Sequence, residues 1–485
     1  MKTASELKAE VIDWVDQHAD YIKRMSNSVW VFAEPPLQEF RSCAMLSRQL
    51  EAAGFKIERE AGGLETAFIA TYGSGSPVIA TYAEYDATEG LSQLPVTHPA
   101  PVVLGAGGFQ DMHNGLGVGA VSAALAVKEL IEKNKVAGTL KVFGTPAEKL
   151  SIGKPFMSRK GLFNGLDAVV SWHPGTETEA EPGWGYKFLA FQGHRFIFKG
   201  ASVFGARPWD GTSALEGVTL MDVATQFMRV HVLPPDAYFT INHIVSDGGH
   251  APTNYPGRAE AWFHYRALKR EYIEKIQEGL FRCARGAAIA TNTTFETKFV
   301  SATHENLPNI VLAKAMHKNI ERVGAPKFTE ADEAFARDIE KALGREPSPE
   351  PFNVKIIPPS GATKIGVTDD FTEFTWFAPT HRVYVTYNLA KTSPSWATSA
   401  FAAMNVGHQC ELAAAKFVAC TLLDLFLDPP LLAAAKKEFA EKIAVRPWKC
   451  LIPEDEPTPK RDPLPEEHYR AMREGCKSFD IPFLE

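Results

Sequence analysis

The stretch AVVSWHPG at residues 168–175 decides the fold that this sequence predicts. Its first five residues, Ala168–Trp172, are typical of a strand with both faces buried, because they lack the alternation of a half-exposed strand. Val78–Tyr82 and Leu140–Gly144 are further short apolar strands, and the residues between them, 116–133, have the spacing of a helix. Such strands alternating with helices predict an α/β fold, a mostly parallel sheet sandwiched by helices.

The pattern changes between residues 193 and 305. Strands and helices follow there in the order β-α-β-β-α-β, which is the ferredoxin-like arrangement. We therefore expect three parts. They are a discontinuous catalytic α/β domain (1–192 and 306–445), an inserted α+β lid that mediates a homodimer (193–305), and a C-terminal surface tail (446–485).

Composition excludes several classes of protein. The 485 residues are 45% hydrophobic and 22% charged, which rules out a disordered, collagen-like or coiled-coil chain. The net charge is −7 with no basic block, so no nucleic-acid partner is expected. We identified no apolar run of membrane-spanning length, so no membrane partner is expected. The six cysteines are far apart without a CxxC pair, which favours a reducing compartment and a cytoplasmic location.

Polar clusters lie at the predicted ends of the strands and ahead of the long helix. In open α/β sheets, ligands bind outside the carboxyl ends of the strands. Carboxylates and imidazoles at one such edge suit a divalent metal or acid–base chemistry. The clusters are Glu84-Tyr85-Asp86, Asp111-Met112-His113-Asn114, Thr145-Pro146-Ala147-Glu148-Lys149 and His173-Pro174-Gly175.

Each cluster also has a purely structural interpretation. Asp111 could cap the helix that follows it, and His173 could be a turn residue before Pro-Gly. Glu84 and Asp86 could be loop acids, although we favour them as residues that orient a histidine. Glu148 and Lys149 could be a solvated charge pair. Only the four clusters together favour a site for a small-molecule substrate.

The order of these clusters resembles a known family. The motifs are Ala83-Glu84-Tyr85-Asp86-Ala87, Gly144-Thr145-Pro146-Ala147-Glu148, Trp172-His173-Pro174-Gly175 and, in the lid, DGGHAPTNYP at 247–256. They are similar to the zinc-dependent aminoacylase, carboxypeptidase and amidohydrolase family of metallopeptidases, in the branch of hippurate hydrolase and aminobenzoyl-glutamate hydrolase. The resemblance covers about residues 5–460. It implies hydrolysis of a C–N bond in a small carboxylated, aromatic substrate.

The sequence departs from the family pattern at its metal ligands. Asp111 stands where the branch has a cysteine, Lys149 where it has a second glutamate, and Pro394 where it has a late histidine. The resemblance therefore implies at most one divalent ion, Zn or Mn, with Asp111, His113 and His173 as ligands. The alternative is a metal-free site, in which the Lys149 ammonium replaces part of the cation's charge.

The resemblance also implies roles for further residues. Glu148 is the expected general base, and Lys149 and Asp86 complete the catalytic group. In the lid, His243 and Asn254 are expected to bind the substrate's carboxylate or the developing oxyanion, across a dimer. Two other functions stay open. One is changed chemistry on the same scaffold, such as an aromatic aminohydrolase or a metal-independent hydrolase or lyase, and the other is an inactive binding subunit.

Overall fold

Two separate sheets organise the chain in the computed structural model, which describes residues 2–180, 185–361 and 363–484. The helices are α1 (Ala4–Gln17), α2 (Ala19–Phe32), α3 (Phe40–Ala52), α4 (His113–Asn134), α5 (Gly153–Arg159), α6 (Ala214–His231), α7 (Arg270–Ala290), α8 (Ile310–Val323), α9 (Glu330–Ala342), α10 (Ser395–Ser399), α11 (Asn405–Leu427), α12 (Pro429–Val445) and α13 (Glu466–Cys476). The strands are β1 (Lys56–Arg59), β2 (Phe68–Ser74), β3 (Val78–Ala83), β4 (Gly138–Gly144), β5 (Ala168–Gly175), β6 (Thr178–Glu179), β7 (Tyr186–Lys187), β8 (Ala190–Lys199), β9 (Val203–Phe204), β10 (Phe239–Asp247), β11 (Asn254–Tyr255), β12 (Arg258–Ala267), β13 (Thr294–Thr303), β14 (Ile356–Ile357), β15 (Lys364–Ile365) and β16 (Thr380–Thr386).

The larger sheet has eight strands in the order β1-β2-β4-β3-β5-β16-β6-β14. Its centre, β4-β3-β5-β16, is parallel, whereas β1, β2 and β4 pair in antiparallel fashion. Ala168, Val169 and Val170 of β5 are all fully buried, as a strand without alternation requires. The predicted α/β fold is thus confirmed.

Helix α4 passes through the core beside this sheet. It begins at His113 rather than at Leu116, because Met112 takes a left-handed conformation (φ 55°) that turns the chain into the helix. Gly119 allows the close approach, since a Cβ there would lie 2.8 Å from the Trp172 indole nitrogen. That nitrogen donates to the Leu116 carbonyl at 3.1 Å. The contact fixes the start of α4 against the end of β5.

One helix of the described chain has the length and composition of a membrane span, which our sequence analysis had not identified, and a second element would have them only if a bent helix pair counted as one span. They are α4, whose most apolar window is 89% buried inside the protein, and the pair α11–α12, which is bent by 97°. The expectation missed α4 because its glycines and alanines break the apolar run. A mostly buried helix is also what the core of a globular protein provides.

The smaller sheet has four antiparallel strands in the order β10-β12-β8-β13. Helices α6 and α7 pack on it around a core that includes Phe196, Phe263 and Leu280. The long elements follow one another in the predicted ferredoxin-like order, with the short pair β9 and β11 added. The domain limits at 193 and 305 remain a prediction.

The N-terminal helices and the C-terminal tail share a hydrophobic core with the larger sheet. The N-terminal segment forms two helices, α1 and α2, which meet at His18. The His18 ring stacks on Trp14 at 4.0 Å between centroids and contacts its carbonyl through Nδ1. The C-terminal tail returns to α2, where Asn27 donates to the Pro482 carbonyl at 2.8 Å.

Candidate active site

The carboxyl ends of the parallel strands bring the predicted site residues together. Glu84 and Asp86 follow β3, and Glu148 and Lys149 follow β4. His173 lies near the carboxyl end of strand β5. The start of α4 supplies Asp111 and His113 at the same edge. A cavity of about 260 Å³ opens here between the sheet and the lid. Its walls combine Asp111, Glu148, Lys149 and His173 with the lid residues Phe191, His264 and Arg266.

A strained turn presents Glu148 to the cavity. Ala147 and Ser151 flank it with left-handed backbones, at φ 58° and 52°. Such conformations cost about 1–3 kcal/mol each in residues other than glycine and need support from their surroundings. Two buried carboxylates give that support. Glu39 accepts from the Ala147 N–H and Asp86 from the Lys149 N–H, both at 2.8 Å.

The Lys149 ammonium lies between the acidic and imidazole groups of the site. It donates to Asp111 and, at 2.7 Å, to Glu148, and it is 3.1 Å from His113 Nε2. Burial opposes its charge, but Asp111 and Glu148 outweigh burial and raise its pKa well above the ordinary value. Lys149 is therefore a fixed cation and not a nucleophile.

Glu148 has the properties of a general base. Its carboxyl group is buried, which raises its pKa, while Lys149 lowers it and Asp369 raises it further, to about 7. A group that titrates near neutrality is half ionised at the pH of a cell, so it can both take and return a proton. Its position beside the cavity is the one predicted from the sequence.

Asp86 orients His113 and does not face the cavity. Its Oδ1 accepts from His113 Nδ1 at 2.8 Å, and both side chains are fully buried. Burial and Lys149 oppose protonation of His113, but Asp111 and Asp86 outweigh them and raise its pKa to about 9. An ammonium only donates, so the contact of Lys149 with Nε2 requires the unprotonated ring. A proton, Lys149 and any metal ion therefore compete for one lone pair.

His173 is held neutral. Its Nδ1 lies 2.8 Å from the Pro174 carbonyl, which can only accept, so Nδ1 carries the proton and Nε2 the lone pair. Burial and then the Arg382 charge lower the pKa of His173 to about 3. A neutral imidazole with a free lone pair is a metal ligand or a hydrogen-bond acceptor.

Two sets of buried ion pairs were missed from the sequence, one in the wall of the cavity and one next to it. Lys154 is fully buried, with its ammonium 2.6 Å from Glu84 and also bonded to Asp370. Arg382 pairs with Asp369 beside them. A lysine in a short helix and an arginine in a strand carry no sequence signal for burial, which only the three-dimensional contacts reveal.

The donor set includes groups that could hold a divalent cation. One ligand atom each of Glu84, His113 and His173 lie within 4.8 Å of one another. Oε2 of Glu84 and Oδ1 of Asp111 are buried without a hydrogen bond in the described structure, whereas Oε1 of Glu84 is paired with Lys154. Three fixed cations and six carboxyl groups meet here, and burial raises the pKa of two of the carboxyl groups, Glu148 and Asp370. The carboxyl groups are Glu84, Asp86, Asp111, Glu148, Asp369 and Asp370, and the cations are Lys149, Lys154 and Arg382.

The structure brings two of the three predicted metal ligands together and pairs the third with Lys149. His113 and His173 converge, but the carboxylate grouped with them is Glu84, whereas Asp111 is paired with Lys149. The other groups that could hold an ion contain Asp86, His113 and Glu148, or Glu84, Asp369 and Asp370. The first adjoins the Lys149 ammonium and the second the Lys154 ammonium. The role of Asp111 as a ligand remains a prediction.

The two predicted lid residues lie outside this cavity in their own chain. His243 stacks on Phe263 at 4.5 Å between centroids, and its Nε2 is 3.6 Å from Asp222. Asn254 is exposed in β11 and borders a separate lid cavity. The basic lid residue at the active site is instead Arg266, which bonds to Asn242 at 2.8 Å.

These features define the class of protein, a hydrolase of the metallopeptidase type built on a mostly parallel α/β sheet. No protein-family model matches the chain. It is 31% identical over 459 residues to one of the subunits of p-aminobenzoyl-glutamate hydrolase of Escherichia coli, covering 89% of this chain and 94% of that protein. It is 24% identical to the Xaa-Arg dipeptidase of Mus musculus, covering 90% and 93%.

A solved structure has the same fold. The aminobenzoyl-glutamate utilization protein of Klebsiella pneumoniae matches with a TM-score of 0.58 at 14% identity, over 86% of this chain and 98% of that one. The chain belongs to the M20 family of metallopeptidases, the family that the sequence motifs indicated. It is accordingly a hydrolase of C–N bonds, of the amidohydrolase type.

Proposed function

We propose that the protein hydrolyses the amide bond of a small aromatic molecule that carries a carboxylate. The observation that carries this proposal is the position of Glu148. A buried base with a pKa of about 7 borders one cavity with Arg266, a half-buried cation of the lid. A carboxylated amide is the kind of substrate that such a pair can hold and attack. The similarity to a subunit of p-aminobenzoyl-glutamate hydrolase supports an aromatic acyl group in the substrate.

Glu148 moves the proton. In its ionised form it takes a proton from the attacking water and then delivers that proton to the nitrogen of the leaving amine. Lys149 holds the base in place through Oε2 and keeps its pKa from rising further. The ammonium also places a positive charge at the wall of the cavity, where an oxyanion develops.

Asp86 is a positioning residue. It contacts the His113 ring and the Lys149 backbone N–H, and it is fully buried, so it cannot touch a substrate in the cavity. Loss of its carboxylate would release both the imidazole and the turn that carries the base.

We propose that the site binds at most one divalent ion, Zn or Mn. His113 and His173 would hold it with a carboxylate, either the predicted Asp111 or Glu84, which lies with them. When bound, the ion supplies Lewis acidity to the substrate carbonyl and to water. A second ion has too few partners, because Lys149 occupies the position of one ligand and adds a repelling charge.

Arg266 is the proposed anchor of the substrate's carboxylate. In the described structure no carboxylate group pairs with it, and its contacts are the Asn242 amide and the Phe191 ring, 5.5 Å from its centroid. Burial lowers its pKa, so a partner anion would stabilise the charged form. His243 and Asn254 can take part only from the second chain of a dimer.

The proposed dimer forms through the lid. Strand β10 is an edge of the lid sheet, and its residues Ile244 and Val245 are 59% and 50% exposed. On the neighbouring helix α6, Phe227 and Val230 are also exposed. An unpaired apolar edge of this kind is suited to pairing with a second copy. The six free cysteines favour the cytoplasm as the location.

A panel of amides tests the function. The purified protein is incubated with benzoyl and aminobenzoyl amides of acidic amino acids, and both the released amine and ammonia are measured. Glu148→Gln is the control, because glutamine has nearly the same shape but cannot take a proton, so the rate should fall by about 10²–10⁴. Release of ammonia from the ring would favour changed chemistry, and no turnover of any compound would favour a binding subunit.

A further inference from the structure

A tyrosine borders the active-site cavity and has no role in the mechanism described so far. Tyr384 lies in β16 directly opposite His173 of β5, and the two rings meet edge to face at 5.8 Å between centroids. Tyr384 is half-buried and lines the cavity together with Glu148 and Lys149. A substrate bound in this cavity therefore has the base, the ammonium and the phenol as its walls.

Arg382 determines how the tyrosine hydroxyl can bond. The Arg382 guanidinium donates to the Tyr384 hydroxyl oxygen at 3.3 Å and also to Asp369. Because a guanidinium can only donate, the phenol accepts that bond and keeps its own hydrogen for a further acceptor. No acceptor for that hydrogen is found among the residues that the structure describes. A bond received from a positive group also polarises the hydroxyl, which makes it a stronger donor.

Lys149 has no hydrogen to spare for a substrate. An ammonium has three hydrogens, and three groups already receive them: Asp111, Glu148 at 2.7 Å and His113 Nε2 at 3.1 Å. Lys149 can therefore contribute its charge to an oxyanion, but it can donate a hydrogen bond only if an existing one breaks. Stabilisation of an oxyanion depends on donors that are in place before the charge develops. The unused hydrogen of the phenol meets that requirement.

We propose that the Tyr384 hydroxyl donates a hydrogen bond to the carbonyl oxygen of the scissile amide and stabilises the oxyanion that forms there. This role rests on the proposed function, because it needs an amide carbonyl in the cavity. Tyr384 is then a catalytic residue, and Arg382 is the positioning residue that holds its hydroxyl.

The hydroxyl takes part in the reaction without losing its proton. Water adds to the carbonyl carbon, its proton passes to Glu148, and the π electron pair of the carbonyl moves to the oxygen. When the C–N bond breaks, that pair forms the carbonyl again and Glu148 gives the proton to the leaving nitrogen. Burial raises the pKa of Tyr384 to about 12, so the phenol is a donor at neutral pH and not a second base.

Tyr384→Phe tests the role by removing the hydroxyl and keeping the ring. With the best amide of the panel, kcat should fall by about 10² and KM should change little, since the bond strengthens only as the oxyanion forms. Tyr186→Phe is the matched control. Its ring meets that of Tyr384 edge to face at 5.8 Å between centroids, but it lines an adjoining pocket, so kcat should stay near the wild-type value. An equal kcat for Tyr384→Phe and the control would overturn the proposal.

A pair of ligands separates this role from a merely structural one. Both are titrated by calorimetry into Glu148→Gln and into Glu148→Gln/Tyr384→Phe. One is a benzoyl amide of an acidic amino acid, whose carbonyl oxygen is neutral. The other is its phosphinate analogue, in which P(O)(O⁻)CH₂ replaces the amide and is tetrahedral and negatively charged. Loss of the hydroxyl should weaken phosphinate binding by about tenfold or more and amide binding by less than about threefold. Equal weakening of both ligands would show a structural effect and overturn the proposal.

These titrations need no turnover, so they distinguish failure of the proposal from failure of the proposed function. If the wild type cleaves no amide but phosphinate binding depends on Tyr384, the proposed function is wrong and the donor role is supported. If amides are cleaved and both variants bind the phosphinate equally, the function is supported and Tyr384 is not the donor. Failure of Glu148→Gln to bind the phosphinate would also overturn the donor role.

Discussion

Lys149 Nζ and Glu148 Oε2 lie 2.7 Å apart, so two neighbours in the sequence form an ion pair that borders the active-site cavity. The turn makes this contact possible, because the left-handed residues Ala147 and Ser151 reverse the chain on either side. The pair places a general base and a permanent cation at adjacent positions. The charge of the cation thereby sets the pH at which the base works.

Replacement of Lys149 by methionine should move the acidic limb of the pH–rate profile upward. The ionised form of Glu148 is the base, so kcat/KM of the wild type should fall below about pH 7. Lys149 lowers the pKa of Glu148, and its loss should raise that pKa by about one unit or more. Measured kcat/KM from pH 5 to 9 checks this. An unmoved limb would assign the titration to another group.

Removal of single carboxylates should identify the ligands of the proposed metal ion. If Glu84 lies with His113 and His173 at the ion, Glu84→Gln should weaken Mn²⁺ binding by about tenfold or more, and Asp111→Asn should weaken it less. Electron paramagnetic resonance of titrated Mn²⁺ measures the free ion directly. If Asp111→Asn weakens Mn²⁺ binding more than Glu84→Gln does, Asp111 is the ligand, as the sequence analysis predicted. Circular dichroism checks folding, because Glu84 also neutralises the buried Lys154.

Lys149→Glu should raise the metal content. The substitution removes the repelling ammonium and supplies the glutamate that the family pattern places there. Elemental analysis of the wild type should give at most one ion per chain, and the variant should approach two. Lys149→Gln, which removes the charge without adding a ligand, is the control. If both variants equal the wild type, the absent histidine at Pro394 limits the second site and not Lys149.

A lysine at the exposed edge of the lid should break the proposed dimer. Ile244→Lys introduces a charge into the middle of β10, where a second copy would pair. We expect light scattering to show a dimer for the wild type and a monomer for the variant at micromolar concentration. Val445→Lys, at an equally apolar exposed residue outside the lid, should stay dimeric. A monomeric wild type would contradict the prediction.

Glu411 in the core should make the protein less stable as the pH rises. Burial raises the pKa of this fully buried glutamate well above 4.5, with Ser26 and Lys23 lowering it less. The folded chain therefore holds a proton that the unfolded chain releases above pH 4.5. Stability should be full below that pH and fall as the pH rises toward the folded pKa. Urea unfolding at pH 5 and 8 should differ less in Glu411→Gln than in the wild type.

The parts of the fold that follow from local pattern were predictable. The strands around Ala168 and Leu140 are buried on both faces, so their apolar runs identify them without knowledge of the partners. The residues directly after each strand then fall at one edge by topology alone. This explains why the sequence could place Asp86, Glu148 and His173 at that edge, while their roles stay a prediction.

The missed residues depend on contacts between distant segments. Lys154 lies in a short helix, and its burial becomes favourable only through Glu84 and Asp370, which are far away in the sequence. Arg266 alternates with apolar residues along β12, so the pattern shows a strand but not which cavity the strand borders. The break between α1 and α2 at His18 depends on one local ring contact and has no helix-breaking residue.

The internal ammonium groups have a consequence for how the protein is made. Lys149 and Lys154 already neutralise part of the acidic cluster when the chain folds, so the polypeptide supplies its own counter-ions. We therefore expect folding and metal uptake to be separate events. The chain would then fold without drawing on a cell's supply of free metal, in contrast to small zinc domains that stay unfolded until the ion arrives.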